Sequence, residues 1–338
     1  MRISQSVPLL LWALSGCSNL DLDCKPAGRI IFPDSLVNLA ALNSPYDDWN
    51  CGAPWDEWES DGSFLFSTNR KTSGGTFDVF PTAIRFQGED GFAMDTSLNA
   101  SEAIRAIAKR INTGEDELGP TFWFASESDL KQRSPKVLIF SRGNGGNHDL
   151  WVLSPDNPTV SYVGLLYPPD SLFEIPLTPL NTPKDEGYAT WSRELGLLFF
   201  HSDRDGIYGL FQASIPLDSN GLGVWLRNPK DSGVRISRVQ GLSSDGQERC
   251  PFLLGNALYF VSDRSGGFGG LDIYRSVWSG TAWGAPQNLG SRINSTYDEY
   301  RPLAFHLYPE EDALFFSSNR PGGKGGYDLY ATSLKPEL

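Results

Sequence analysis

Short apolar runs recur along the chain, and each one ends in a polar turn. The clearest covers residues 313–320 and reads ALFFSSNR. Four similar runs precede it: residues 64–70 (FLFSTNR), 137–142 (VLIFSR), 197–204 (LLFFHSDR) and 257–264 (ALYFVSDR). Runs rich in aromatic and β-branched residues that stop at Asn, Asp or Arg are typical of buried strands followed by turns. The pattern therefore predicts five equivalent strands.

Each apolar run is followed by a turn and then by a second short segment with alternating character. These segments are residues 77–80 (FDVF), 148–151 (HDLW), 208–211 (YGLF), 271–274 (LDIY) and 327–330 (YDLY). Glycine-rich links such as residues 321–326 (PGGKGG) allow the backbone to reverse sharply. The two segments of each copy are thus expected to form a β-hairpin.

An acidic residue precedes every apolar run at a similar distance. It is Asp48, Glu117, Glu186, Glu248 or Glu299, and the successive intervals are 69, 69, 62 and 51 residues. A repeating unit of this length accommodates about four short strands, which is one propeller blade. We therefore predict an all-β fold, a five-bladed β-propeller of four-stranded antiparallel blades. It spans residues 28–338 as one domain.

The last copy ends too early to supply the outermost strand of its blade. Residues 29–39 (RIIFPDSLVNL) can supply that strand from the other end of the chain. Pairing the two ends would close the ring and remove two exposed sheet edges.

One insertion, at about residues 97–111, has helical instead of strand periodicity. Its apolar residues fall three or four apart, with Asn99 or Ser101 as the N-cap. Two placements are open for this helix: over or beside the mouth of the channel, or packed against exposed apolar sheet surface.

The order Trp…Pro-x-Asn-Leu, Asn-Ser…Asp-Glu…Pro, LFFSSNR, GGYDLY resembles the TolB-like, WD-related propeller repeat. The residues that carry this resemblance, taken as structural, are Asn69, Arg70, Asp78, Asp149, Asp203, Arg204, Asp263, Arg264, Asp272, Asn319, Arg320 and Asp328. The match weakens in copy two, where Arg142-Gly143 replaces the turn pair, and in copy three, where Gly209 replaces the Asp. The resemblance implies a protein of the bacterial periplasm or outer membrane that binds proteins or envelope components.

The N-terminus has the features of a secretory signal. A basic start, the apolar stretch VPLLLWAL and the sequence LSGC ending at Cys17 resemble a bacterial lipobox. Residues 1–16 are then a signal peptide, and residues 17–27 a tether lipidated at Cys17. The protein would be an outer-membrane lipoprotein of the cell envelope. An ordinary signal peptide is the alternative. Cys24 and Cys51 could form a disulfide, and Cys250 is expected to be buried.

Charge and composition narrow the function classes. The formal net charge is −13, which disfavours nucleic acid as a partner. The three histidines His148, His201 and His306 lie in different copies without metal-ligand spacing, so neither a metal nor a cofactor is predicted. His148 occupies a column otherwise held by Phe, Tyr and Leu, which favours a packed core position.

The acidic column Asp48, Glu117, Glu186, Glu248 and Glu299 has two interpretations. In a closed ring these residues would converge at one end of the channel and could bind a cation or a basic partner. A structural role is the alternative, in which each carboxylate accepts hydrogen bonds from a turn or from the arginine of its own blade.

The leading expectation for function is a non-catalytic platform that docks an envelope protein or glycan. A glycan-active enzyme, either a propeller glycoside hydrolase or a lyase, is the rival interpretation. Such enzymes place two or three carboxylates asymmetrically in the channel. A third is a carbohydrate-binding protein that stacks sugars on Trp49, Trp55 or Trp58.

Overall fold

The computed structural model describes residues 33–52, 57–58, 61–87, 93–96, 99–123, 137–155, 172–216, 222–230, 233–307 and 311–334. Its architecture is a ring of five antiparallel sheets, which confirms the predicted five-bladed β-propeller. The signal peptide, Cys17, Cys24 and Trp55 lie outside the described residues, as do the side chains of Cys51 and Trp58.

Blades one to four each have four strands in the order inner to outer. Blade one contains β2 (Asp48–Gly52), β4 (Asp61–Thr68), β5 (Asp78–Gln87) and β6 (Ala93–Asp95). Blade two contains β7 (Glu117–Trp123), β8 (Val137–Asn144), β9 (Asn147–Pro155) and β10 (Leu172–Pro176). Blade three contains β11 (Glu186–Ser192), β12 (Leu197–Ser202), β13 (Gly209–Ser214) and β14 (Arg235–Arg238). Blade four contains β15 (Glu248–Leu254), β16 (Ala257–Ser262), β17 (Asp272–Val277) and β18 (Gln287–Asn288).

Blade five is built from both parts of the chain. Its strands are β19 (Glu299–Leu307), β20 (Glu311–Ser318), β21 (Asp328–Leu334) and, outermost, β1 (Val37–Asn38). Val37 pairs with Ala331 and Asn38 with Tyr330, so the N-terminal segment closes the ring as the sequence predicts. A further short strand, β3 (Glu57–Trp58), pairs in parallel with the far end of β19.

The ring is tied together by side chains that cross from one blade to the next. Asn112 accepts a hydrogen bond from Val79 N at 2.8 Å and donates one to Val79 O at 2.9 Å. Asn43 makes the same two bonds to Leu329, at 2.8 and 3.0 Å, and so joins blade one to blade five. Asn clamps of this kind satisfy buried backbone groups and fix the register between blades.

The inserted helix α1 spans Glu102–Ile111, and Ser101 accepts the capping hydrogen bond from Ile104 N. Its apolar side, including Ile104 and Ile107, is buried in a cluster with Leu65, Val79 and several side chains of blade two. The helix therefore covers apolar surface of blades one and two, the second of the two placements considered. A second helix, α2 (Leu222–Arg227), also packs its apolar residues into the core. Of the described helices, none has the length and apolar character needed to cross a membrane.

Candidate functional site

The acidic column predicted at the channel mouth starts the five inner strands, but its side chains point into the blades. Asp48, Glu117, Glu186 and Glu299 are fully buried, and Glu248 is 1 % exposed. In Glu299 the carboxylate accepts hydrogen bonds from Ser295 N (2.7 Å), Ser295 Oγ (2.6 Å) and Ser318 Oγ (3.0 Å).

An arginine completes each of these buried carboxylate sites. Its guanidinium contacts the carboxylate and also donates to the backbone carbonyl that precedes the turn, for example Arg320 to Glu299 at 2.7 Å and to Ile293 O at 2.6 Å. The five arginines are Arg70, Arg142, Arg204, Arg264 and Arg320. Burial raises the pKa of Glu117, Glu186, Glu248 and Glu299 in spite of these partners. A repeated, inaccessible ion pair of this kind shapes the blade.

Copy two reaches the same arrangement from a different sequence position. Arg142 lies directly opposite Glu117 in the sheet, two residues earlier than the arginine of the other copies. Its guanidinium still donates to Glu117 and to Ile111 O. A second ion pair, 2.8 Å between Arg142 Nη1 and Glu174 Oε2, is specific to this blade.

Most of the remaining signature residues bind backbone groups near the turns, and two bind side chains. Asn69, Asp203, Asp263 and Asn319 each accept a hydrogen bond from the backbone N–H that precedes the acidic residue of their blade. Asp272 and Asp328 accept backbone N–H groups of their glycine-rich loops. Asp78 pairs with Lys71, and Asp149 accepts a bond from Asn144.

A different set of side chains faces the end of the channel where the inner strands begin, which we call the channel mouth. It comes from the residue before each buried acid: Asp47, Asp116, Asp185, Gln247 and Asp298. All five are half-buried. Each aspartate accepts a backbone N–H from the preceding blade, such as His148 N to Asp185 at 2.7 Å and Leu271 N to Asp298 at 2.9 Å. The sequence prediction placed the second member of each acidic doublet at the channel, whereas in the structure the first member lies there and the second is buried in the blade.

His148 breaks the symmetry of the channel mouth. Its imidazole lies between two carboxylates, with Nδ1 3.0 Å from Asp185 Oδ1 and Nε2 3.6 Å from Asp116 Oδ2. Burial opposes protonation, but the hydrogen bond to Asp185 and the negative charges of both aspartates outweigh it and raise the pKa of His148 to about 9. The ring is therefore an imidazolium near neutral pH.

The two aspartates beside His148 differ in their access to solvent. The Asp116 side chain is 34 % exposed and that of Asp185 is 19 % exposed. The adjacent His148 imidazole is the largest influence on Asp116 and lowers its pKa. Burial acts to raise the pKa of Asp185, but bonds from His148 and the Tyr208 hydroxyl hold it well below its usual range. Both carboxylates are ionised at neutral pH.

Arg249 brings a second positive charge to the channel mouth. It follows the buried acid of blade four, at a position held by Trp49, Leu118, Gly187 and Tyr300 in the other blades. Its guanidinium carbon lies 3.7 Å from the centre of the Tyr208 ring, and its Nε donates to Gln247 Oε1 at 3.0 Å.

Aromatic rings line the remaining part of the mouth. Trp49 stacks on Phe77 at 4.3 Å and meets Tyr300 and Tyr327 edge to face, at 5.7 and 5.4 Å. Of the three tryptophans considered for sugar stacking, Trp49 is the one whose side chain is described. It is half-buried within this aromatic cluster.

Comparison with known proteins found solved structures that share the fold. A thermostable family-43 glycoside hydrolase superposes with a TM-score of 0.51 at 11 % identity, covering 87 % of this chain and 92 % of that one. An α-L-arabinofuranosidase from Lactobacillus brevis (TM-score 0.47, 10 % identity, coverage 89 % and 95 %) is also similar. An endo-arabinase from Bacteroides thetaiotaomicron is similar as well, with a TM-score of 0.47 and 10 % identity, covering 92 % of this chain and 98 % of that one. No protein-family model and no curated protein sequence matches the chain. At these identities the likeness shows the fold.

These comparisons correct two expectations from the sequence. The assignment to TolB-like, WD-related repeat proteins is wrong, because the similar structure with a TM-score of 0.51 is a family-43 glycoside hydrolase and no family model supports TolB. The expectation of a non-catalytic, protein-binding platform is corrected as well, since this similar structure is a glycoside hydrolase. Short strand, turn and hairpin motifs recur in any propeller blade, so they could not discriminate between propeller families.

Proposed function

We propose that the protein is a glycan-active enzyme, a glycoside hydrolase that works at the channel mouth. The observation that carries this proposal is the position of His148 between Asp116 and Asp185, where the fivefold pattern is broken. Residues that only build the blades repeat in every copy, whereas a reaction needs an asymmetric site. The fold shared with family-43 glycoside hydrolases supports the same class of activity.

Asp116 is the residue of this site that suits a general base. Its carboxylate is partly accessible, and the adjacent imidazolium keeps it ionised. In hydrolysis it would take a proton from water as the water oxygen bonds to the anomeric carbon and the glycosidic C–O bond breaks. His148 and Asp185 then act as positioning residues, since they hold the Asp116 carboxylate in its charged form.

The departing sugar oxygen must also receive a proton. A carboxylic acid with a raised pKa ordinarily supplies it. Among the described residues, the glutamates with raised pKa are the buried ones such as Glu117 and Glu186, which a substrate cannot reach. We propose that the described part of the channel mouth supplies the base of the reaction and that the departing oxygen takes its proton from solvent water, whose hydroxide is then neutralised by the proton that Asp116 has accepted.

A hydrolysis screen over plant and bacterial glycans tests this function, with release of reducing sugar as the measurement. Asp116→Asn is expected to lower turnover by roughly 10²- to 10⁴-fold, the usual contribution of general acid–base catalysis. Asp298→Asn is the matched control. Asp298 also accepts a backbone N–H and a tyrosine hydroxyl, but has no histidine beside it.

The pH dependence of kcat/KM separates the positioning role of His148 from simple damage to the fold. His148→Phe restores the residue type that blade one has at Phe77 and removes the charge that lowers the pKa of Asp116. The acidic limb of the profile should therefore move to higher pH. Turnover of no glycan, or full activity in Asp116→Asn, would overturn the proposal.

A further inference from the structure

Blade four differs from the other four at the channel mouth by two linked changes. It has Gln247 where they have Asp47, Asp116, Asp185 and Asp298, and it has Arg249 where they have an aromatic residue, Leu or Gly. A negative side chain is thus replaced by a neutral one, and a neutral side chain by a cation, within three consecutive residues.

Arg249 is held without being neutralised. The five arginines inside the blades each contact a carboxylate, but Arg249 has no carboxylate partner within 4.0 Å in the described part of the chain. Its Nε and Nη2 both donate to the uncharged Gln247 Oε1. Gln247 is in turn oriented by Asp263, which accepts bonds from its backbone N–H at 2.6 Å and its side-chain amide at 3.3 Å.

The aromatic surroundings fix the orientation of the guanidinium. One of its faces covers the Tyr208 ring at 3.7 Å. A half-buried guanidinium stacked in this way is weakly hydrated and has a planar set of donors that matches a carboxylate.

The neighbouring carboxylates do not pair with the Arg249 guanidinium, because their oxygens bind other groups. Asp116 and Asp185 share the His148 imidazolium. Asp47 accepts the Tyr327 backbone N–H, and Asp298 accepts the Tyr327 hydroxyl and the Leu271 N–H.

We propose that the glycan handled at the channel mouth is anionic, and that Arg249 binds its acidic group. The inference rests on the proposed function for the location of the glycan, and adds the class of substrate. A uronic acid carboxylate and a sulfate ester share the chemistry that a guanidinium recognises. In a neutral sugar a hydroxyl would face Arg249 and leave its charge uncompensated.

Calorimetric binding with matched oligosaccharides tests the assignment directly. The probes are an oligomer of galacturonic acid, its carboxyl-reduced counterpart (an oligomer of galactose) and the same neutral oligomer carrying sulfate esters. The folded protein should bind an acidic oligomer and bind the neutral one at least tenfold more weakly. Preference for the uronate or for the sulfated form identifies the source of the charge.

Three variants complete the test. Arg249→Gln should lower the affinity for the acidic oligomer by roughly 10- to 100-fold, the value of about one charge-assisted contact. Gln247→Glu keeps Arg249 but places a carboxylate against its guanidinium, so it should cause a similar loss. Arg238→Gln is the control, because Arg238 lies on the outer strand of blade three and already pairs with Asp205. Its removal should change affinity less than twofold.

The outcomes separate this inference from the proposed function. Equal binding of acidic and neutral oligomers, or a folded Arg249→Gln with unchanged affinity, would overturn the role of Arg249 even if a neutral glycan is hydrolysed. Arg249-dependent binding of an acidic oligomer without any cleavage would support the inference while the hydrolase proposal fails.

Discussion

The Tyr208 ring lies beneath the Arg249 guanidinium at 3.7 Å while its hydroxyl donates to Asp185. One tyrosine of blade three therefore joins the cation of blade four to the carboxylate that binds His148. The contact links the two departures from fivefold symmetry, and it places the charged groups of the proposed site around one ring. Four predictions test the buried carboxylates, the charge on His148, the closure of the ring and the N-terminus.

The first concerns the buried carboxylates. Glu299→Gln replaces two acceptor oxygens with one oxygen and one NH2 group that faces the donors Ser295, Ser318 and Arg320. The free energy of unfolding should fall by about 3 kcal/mol, since Arg320 keeps its charge without a partner. Chemical denaturation measures the change, and Glu194→Gln, at an exposed position, is the control. An unchanged midpoint, combined with loss of ligand binding, would instead favour a binding role for this column.

The second concerns the pH dependence of stability. The folded pKa of His148, about 9, lies above its unfolded value of 6.5. Its stabilising contribution is therefore complete below pH 6.5 and is lost as the pH rises through 9. The free energy of unfolding of the wild type relative to His148→Phe should fall by about 3 kcal/mol across this interval, at about 1.36 kcal/mol per pKa unit. Denaturant titrations at pH 6 and pH 10 measure it; a difference that stays constant would contradict the charged imidazole.

The third concerns closure of the ring. Asn43→Ala removes both hydrogen bonds to the Leu329 backbone and should cost about 2 to 4 kcal/mol, because each buried group left unpaired costs about 1 to 3 kcal/mol. Backbone hydrogen exchange should accelerate in β1 and β21. Asn112→Ala removes the same pair of bonds between blades one and two. It should destabilise the protein without that local effect, and equal exchange in both variants would argue against a special role for Asn43.

The fourth concerns the N-terminus, where the sequence alone supports attachment to the envelope through lipid on Cys17. Cys17→Ala is expected to release the protein from the membrane fraction of a bacterial host into the soluble fraction. Retention in the membrane fraction would contradict lipidation at this residue. Cys24→Ala is the control and should leave the distribution unchanged.

The propeller was predictable because its signals are local. A strand such as residues 313–320 reveals itself by its apolar run, and its end by Asn319 and Arg320, without knowledge of any other blade. Repetition then multiplies a weak local signal by five. The closing strand was predicted by counting strands. The last blade lacked its outermost strand, and residues 29–39 could supply it. The described strand within that segment is Val37–Asn38.

The candidate site depends on distances that no local pattern contains. In the sequence, His148 belongs to a column that is mostly aromatic, and nothing there predicts a charge. The imidazole is charged because Asp116 and Asp185, which are 32 and 37 residues away in the chain, lie beside it in the structure. Likewise, Glu186 and Asp185 are neighbours of the same charge, yet Glu186, the first residue of β11, is buried in the blade while Asp185, just before the strand, is half-buried beside His148. Sequence alone determined the number of blades, their landmarks and the edge that closes the ring. Only the tertiary structure decided which carboxylates are buried in ion pairs with arginine and which meet a histidine and solvent, since burial and Coulomb energy depend on separation in space.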